Sequence, residues 1–167
     1  KMNQTIAESK EFCSHSADMI KLAAEKGIDI GVAPSYLSLQ TVKENAGNMI
    51  VAAQDCHFAD HGAYTGFVSI PMIKELGIDW CLVGHSERRL YAAETSLTCN
   101  RKIKALIENK MTVVYCVGES LADFESGRTK SIVKEQLLIG LMDIAKEDTD
   151  KIVVAYEPVW SIGTGKN

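Results

Sequence analysis

Residues 112–119 read Thr112-Val113-Val114-Tyr115-Cys116-Val117-Gly118-Glu119, a run apolar on successive positions, then a glycine, then a carboxylate. A strand with one face in water alternates apolar and polar side chains, whereas a strand covered on both faces does not. The stretch 112–117 is of the second kind. Comparable runs stand at 28–33, 49–53, 80–84 and 152–156. Between them the apolar spacing is helical, over 12–26, 37–45 and 70–76. Ile103, Leu106 and Ile107 share one helical face, and Ile132, Leu137, Leu138, Leu141 and Ile144 share another. Gly27 and Gly77 follow helical stretches where left-handed caps belong. Strands alternating with helices predict parallel βαβ units and an α/β fold.

No low-complexity linker or shift of composition divides the chain, so residues 1–167 read as a single domain. At 167 residues, 46% hydrophobic and 24% charged, the chain can bury a core. Its net charge is −4 and no basic run occurs, which makes nucleic acid a poor partner. The apolar runs are too short to span a membrane, and no secretory signal is expected. The cysteines are Cys13, Cys56, Cys81, Cys99 and Cys116, an odd number without a CxxC pair. They read as free thiols in a reducing cytoplasm. Asn3-Gln4-Thr5 matches a glycosylation sequon, read here as a chance match.

Polar residues gather at the C-terminal end of each strand. Gln54 and Asp55 follow the second run, His85 to Arg89 the third, Glu119 the fourth and Glu157 the fifth. In parallel α/β folds those ends form the binding face. An open doubly wound sheet and a closed barrel both satisfy this pattern.

Several motifs compete for the site. Gly163-Thr164-Gly165-Lys166 resembles the end of a phosphate loop, but Trp160 stands where that motif needs glycine and Asn167 where it needs Ser or Thr. His57 and His61, with Cys56 and Asp60 nearby, have a spacing that could hold a metal on a helix, yet this stretch reads as loop, and no metal site is expected. His85, in Val83-Gly84-His85-Ser86-Glu87-Arg88-Arg89, begins a charged helical turn, where the helix dipole opposes imidazolium. Its plain alternative is a solvated helix start capped by Ser86, with surface arginine pairs. Glu157 closes an apolar strand and precedes Pro158, a placement that suits a general base. Val159 and Trp160 lead into a glycine-rich tip, the composition of a lid that closes over apolar surface.

Taken together, Lys1-Met2-Asn3, Ala63-Tyr64-Thr65-Gly66, residues 83–89, Cys116-Val117-Gly118-Glu119 and residues 155–166 resemble the triosephosphate isomerase family, in its order and spacing. The resemblance implies a (β/α)8 barrel, with residues 1–167 covering roughly six of the eight βα units and incomplete at both ends. It implies a cytoplasmic, glycolytic and gluconeogenic enzyme without a cofactor or metal. It further implies a reaction that interconverts dihydroxyacetone phosphate and glyceraldehyde 3-phosphate through an enediolate, and a homodimer.

By the same resemblance, Glu157 is the base, His85 the electrophile, and Lys1 the cation offsetting substrate charge. Lys1 and Gly163 bind substrate, and Glu87, Ser86 and Cys116 support the site from behind. Val159, Trp160, Ser161, Ile162, Gly163, Thr164, Gly165 and Lys166 form the lid. Thr65 and Phe67 lie at the subunit interface. Phe67 stands where the family usually has glutamate and Asp55 where it has asparagine. An interface ion pair to Arg88 or Arg89 is therefore replaced by an apolar contact. The asparagine two residues before the family's lysine has no counterpart here. Turnover by residues 1–167 alone is not expected. A non-catalytic scaffold is the alternative. An aldolase would need a Schiff-base lysine inside a strand run, and none is present.

Overall fold

The computed structural model describes residues 1–162. The chain forms two compact units, the first covering Lys1–Leu82 and the second beginning at Val83.

In the first unit the elements run α1 (Ile6–His15), α2 (Ala17–Glu25), β1 (Gly31–Val32), α3 (Tyr36–Asn45), β2 (Ile50–Ala53), α4 (Ile70–Glu75) and β3 (Trp80–Val83), whose last residue opens the second unit. Thr5 starts α1 with a capping box. Its hydroxyl accepts the Glu8 N–H at 3.3 Å, and the Glu8 carboxylate accepts the Thr5 N–H at 2.8 Å. The sequence predicts one helix over 12–26, but the chain breaks at Ser16. There the hydroxyl donates to the Phe12 carbonyl at 2.7 Å, and the N–H takes the nearer Cys13 carbonyl instead of continuing the ladder. Gly27 and Gly77 adopt positive φ, as cap glycines do. The strands are parallel, with Gly31 opposite Ile50 and Ala52 opposite Trp80. β1 is shorter than the apolar run predicts, because Ile28 points to solvent and Asp29 interrupts the pattern. Leu39, Val42, Val51, Ala53, Ile70, Ile73 and Cys81 form the buried core here.

In the second unit follow α5 (Ser86–Tyr91), α6 (Ser96–Glu108), β4 (Thr112–Val117), α7 (Leu121–Glu125), α8 (Thr129–Gly140) and β5 (Ile152–Tyr156), with 3₁₀ turns at Lys146–Lys151 and Val159–Ser161. β4 and β5 run parallel, Val113 opposite Ile152 through Val117 opposite Tyr156. Helix α6 packs on β4 and α8, burying Cys99, Ile103 and Leu106. α8 stops at Gly140, short of Leu141 and Ile144. The buried Asn100 amide donates to the Gly140 and Met142 carbonyls at 3.0 and 2.8 Å, which satisfies groups a longer helix would have used. β5 is less covered than its apolar run predicts, with Val153 and Val154 exposed. Among the described residues of this unit it pairs along one edge only, with β4.

Both units have the predicted α/β character, parallel strands alternating with helices. No helix among the described residues is long and apolar enough to cross a membrane.

Candidate active site

Site geometry in the second unit begins at Gly84, whose φ of +78° favours glycine. A side chain there would also meet the Cys116 carbonyl at 3.1 Å and the Cys99 sulfur at 3.0 Å. His85 follows and caps α5. Its Nδ1 accepts the Glu87 N–H at 3.2 Å, so the helix is capped by His85 and not by Ser86. A nitrogen that accepts carries no proton, so the neutral ring holds its proton on Nε2. Nε2 lies 3.3 Å from Glu157 Oε2.

The other oxygen of Glu157 accepts the Ser86 N–H at 2.7 Å. Glu157 itself continues the β4–β5 pairing, donating its N–H to the Val117 carbonyl at 2.8 Å. The two side chains are only 22% and 17% exposed, so little water competes for them. The Glu87 carboxylate stands 3.7 Å from His85 Nδ1. Cys116 is buried, and burial, followed by the nearby Glu157 charge, pushes its thiol up to about 12.

The described part of the predicted lid is tied to one carboxylate. Glu119 is fully buried. Its Oε1 accepts Trp160 Nε1–H at 2.9 Å, both of its oxygens lie 3.1 Å from the Tyr156 hydroxyl, and its carbonyl accepts the Val159 N–H at 3.2 Å. The Trp160 ring stacks on Phe124 at 4.4 Å. Burial alone would raise the Glu119 carboxyl; the hydrogen bonds it accepts, led by that from Trp160 and joined by a backbone bond and one from Tyr156, outweigh it and hold the group below its ordinary 4.5. Ser161 completes the 3₁₀ turn and Ile162 follows it. Gly163, Thr164, Gly165 and Lys166 lie outside the described residues.

Lys1 belongs to the first unit, where its carbonyl accepts the Gln54 amide at 3.3 Å and the same amide reaches the Ala33 carbonyl at 2.9 Å. Thr65 and Phe67 are exposed there. His57 is buried between the rings of Phe58 and Tyr64, at 4.2 and 4.1 Å, with Phe67 edge-on at 4.8 Å, and its Nδ1 accepts the Ala59 N–H at 3.0 Å. This histidine is a packed, hydrogen-bonded one. No cluster that could hold a metal occurs among the described residues.

The arginines of the 83–89 motif do not fray into solvent. Arg88 Nε pairs with the buried Glu94 carboxylate at 3.0 Å, and Lys102 Nζ meets the same group at 2.8 Å. Arg89 donates to the Gly84 carbonyl at 2.8 Å and to Ser96 Oγ at 3.1 Å. Sequence reasoning overlooked Glu94 and the load on Glu119. For Glu119 a signal existed, since an acid placed two residues past a buried strand had either to face the site or to find donors.

A carboxylate and an imidazole N–H that face each other, with one carboxylate oxygen pinned by a main-chain N–H, can serve one substrate jointly. The first removes a proton next to a carbonyl while the second donates to the oxygen that gains charge.

The sequence model of the family described as triosephosphate isomerase matches residues 1–167. Proteins of that name are 40% identical over 168 residues in Clostridium botulinum (strain ATCC 19397 / Type A) and in Alkaliphilus metalliredigens (strain QYMF). The one from Chlorobium phaeobacteroides (strain BS1) is 44% identical over 171 residues. Each alignment covers 99% of this chain and 66% of the relative, so the chain spans somewhat less than two thirds of the length of these curated relatives.

Proposed function

The chain belongs to the triosephosphate isomerase family, a family of (β/α)8 barrels, and on that premise we propose that it acts as a cofactor-independent isomerase interconverting dihydroxyacetone phosphate and glyceraldehyde 3-phosphate. The observation that supports this most is the approach of His85 Nε2 to Glu157 Oε2 at 3.3 Å, in a pair largely shielded from water.

In this reading Glu157 removes a proton from the hydroxyl-bearing carbon next to the substrate carbonyl. The carbon–hydrogen electron pair moves into the bond between the two carbons, and the carbonyl oxygen becomes an enediolate oxygen. His85 donates its Nε2 proton as a hydrogen bond to the developing charge, which strengthens in the transition state more than in the ground state. Glu157 then returns its proton to the neighbouring carbon, while the hydroxyl proton passes from one oxygen to the other. The two carbons exchange oxidation level within one molecule, so the reaction balances without an external oxidant or reductant.

Lys1 offsets the negative charge of substrate and intermediate, Gly163 contacts the phosphate, and residues 159–166 close over the site to keep water from the enediolate. Ser86, Glu87 and Cys116 shape the site from behind. Residues 1–167 act as part of one barrel domain in a homodimer, with Thr65 and Phe67 at its interface. The buried cysteines fit a reducing, cytoplasmic setting.

The test is Glu157→Gln in the complete barrel of which residues 1–167 are part; the variant keeps shape and removes the base. Turnover of glyceraldehyde 3-phosphate is expected to fall by about 10²–10⁴-fold, with the circular dichroism spectrum unchanged. Near-parental turnover by the folded variant would reject the assignment.

A further inference from the structure

Beneath the reacting pair lies a second set of contacts, through side chains that touch neither His85 nor Glu157. Its centre is Gln136 on α8. The Gln136 side chain makes two hydrogen bonds to a single residue: Oε1 accepts the Gly118 N–H at 2.8 Å, and Nε2 donates to the Gly118 carbonyl at 2.9 Å. A neighbouring strand satisfies a backbone in this way, and here one amide side chain does it, one residue past the end of β4.

Gly118 is in turn the surface on which Glu157 rests. A Cβ at position 118 would run into the Glu157 carbonyl, so main chain lies directly against main chain. Gln136 is itself held at its backbone, where its carbonyl accepts the Tyr115 hydroxyl at 2.7 Å. Arg89 Nη2 lies 3.4 Å from that hydroxyl and 3.3 Å from the Cys116 carbonyl, and Arg89 Nε donates to the carbonyl of Gly84, the residue before His85. The contacts thus form a circuit from Gly84 to Glu157 by way of Arg89, Tyr115, Gln136 and Gly118.

We propose that Gln136 is a positioning residue for Glu157: its amide fixes the Gly118 peptide, and that peptide sets where the Glu157 carboxylate stands relative to His85 and the Ser86 N–H. Glycine's backbone is the least restricted of any residue, so a clamp on both polar groups of this peptide limits its rotation. A misplacement of about 1 Å, arising well away from the chemistry, can cost about 100-fold in rate. The kinetic half of the proposal rests on the isomerase reading above, whereas the structural half does not.

Two variants separate clamping from packing. Gln136→Met keeps length and volume and removes both bonds; Gln136→Glu keeps the acceptor toward the Gly118 N–H and loses the donor. Two readouts are taken: kcat and KM with glyceraldehyde 3-phosphate, and the NMR resonance of the Ser86 amide proton, which reports its bond to the Glu157 carboxylate. For Gln136→Met we expect kcat lower by about 10- to 100-fold with KM unchanged, together with an upfield shift of the Ser86 amide proton. Gln136→Glu should fall between this variant and the parent. Parental kcat, or lowered kcat with the Ser86 resonance unmoved, overturns the proposal. If the parent, assayed as the complete barrel of which residues 1–167 are part, shows no turnover, the isomerase reading fails and the Ser86 resonance alone decides the positioning role. Should Gln136→Met not fold, Gln136→Glu is judged by the same criteria. If neither folds, Gln136 is a structural tether and the proposal is overturned.

Discussion

The carboxylate of Glu157 accepts the main-chain N–H of Ser86 at 2.7 Å, although 71 positions separate the two residues. This bond occupies one carboxylate oxygen and leaves the other turned to His85. Ser86 is the first residue of α5, so its N–H is one of those a helix start cannot satisfy internally, and it carries the positive end of the helix dipole. The helix that His85 caps therefore also holds the carboxylate. Glu157 and His85 share one support.

From that support follows a tautomer. The neutral imidazole of His85 is expected to carry its proton on Nε2, because the Glu87 N–H occupies Nδ1. Nitrogen-15 NMR should find a bare Nδ1 and a protonated Nε2. The reverse assignment would remove the donor from the face that Glu157 shares.

A second prediction concerns Glu119. Burial raises its carboxyl, but the hydrogen bonds it accepts, led by that from Trp160, more than compensate, and the folded group titrates below 4.5. A depressed carboxyl pKa adds stability that is present above the unfolded value and is lost as pH falls through the folded one. The anchorage of Trp160 should therefore be intact from neutral pH down to about 4.5 and released only on further acidification. Trp160 fluorescence, recorded in a Trp80→Phe background, measures it. A transition centred above 4.5 would contradict the assignment.

The thiols give a third. Burial pushes both Cys99 and Cys116 up to about 12, so at pH 8 only about one thiol in 10⁴ is ionised. Iodoacetamide should leave these two unlabelled in the folded protein at pH 8 and label all five cysteines after denaturation. Rapid labelling of Cys116 in the native state would mean that the site opens to solvent at β4.

How far this site could be read in advance depended on the range of each interaction. β4 and β5 occupy the residues predicted for them, because a short run rich in β-branched and apolar residues is a local signal. The break at Ser16 was hidden, since it depends on whether a hydroxyl prefers the Phe12 carbonyl to water. His85 and Glu157 could be placed at strand ends, but not the 3.3 Å between them. Gln136 gave no sign at all: a glutamine on an amphipathic helix looks like solvated surface until its distant partner, Gly118, is known.

The fourth prediction tests the proposed interface. Phe67 is 52% exposed and touches the His57 ring, so it offers apolar area to a second copy. Full burial of such a side chain is worth about 1.5–3 kcal/mol. Sedimentation of the complete barrel protein at micromolar concentration should show a dimer, weakened in Phe67→Glu. A monomeric parent would overturn the interface, and a tighter dimer in the variant would show that Phe67 opposes it.

Ionic strength touches charge pairs unequally. The Glu94 carboxylate, 3% exposed, holds Arg88 of α5 and Lys102 of α6, and counterions have little access to it. Added salt should therefore leave α5 in place, and with it the His85 ring and the Ser86 N–H that reaches Glu157. The doubly negative phosphate ester of the proposed reaction, approaching from solvent, has no such shelter. On the isomerase reading, salt dependence in turnover then measures capture of that anion against a framework that salt leaves unchanged.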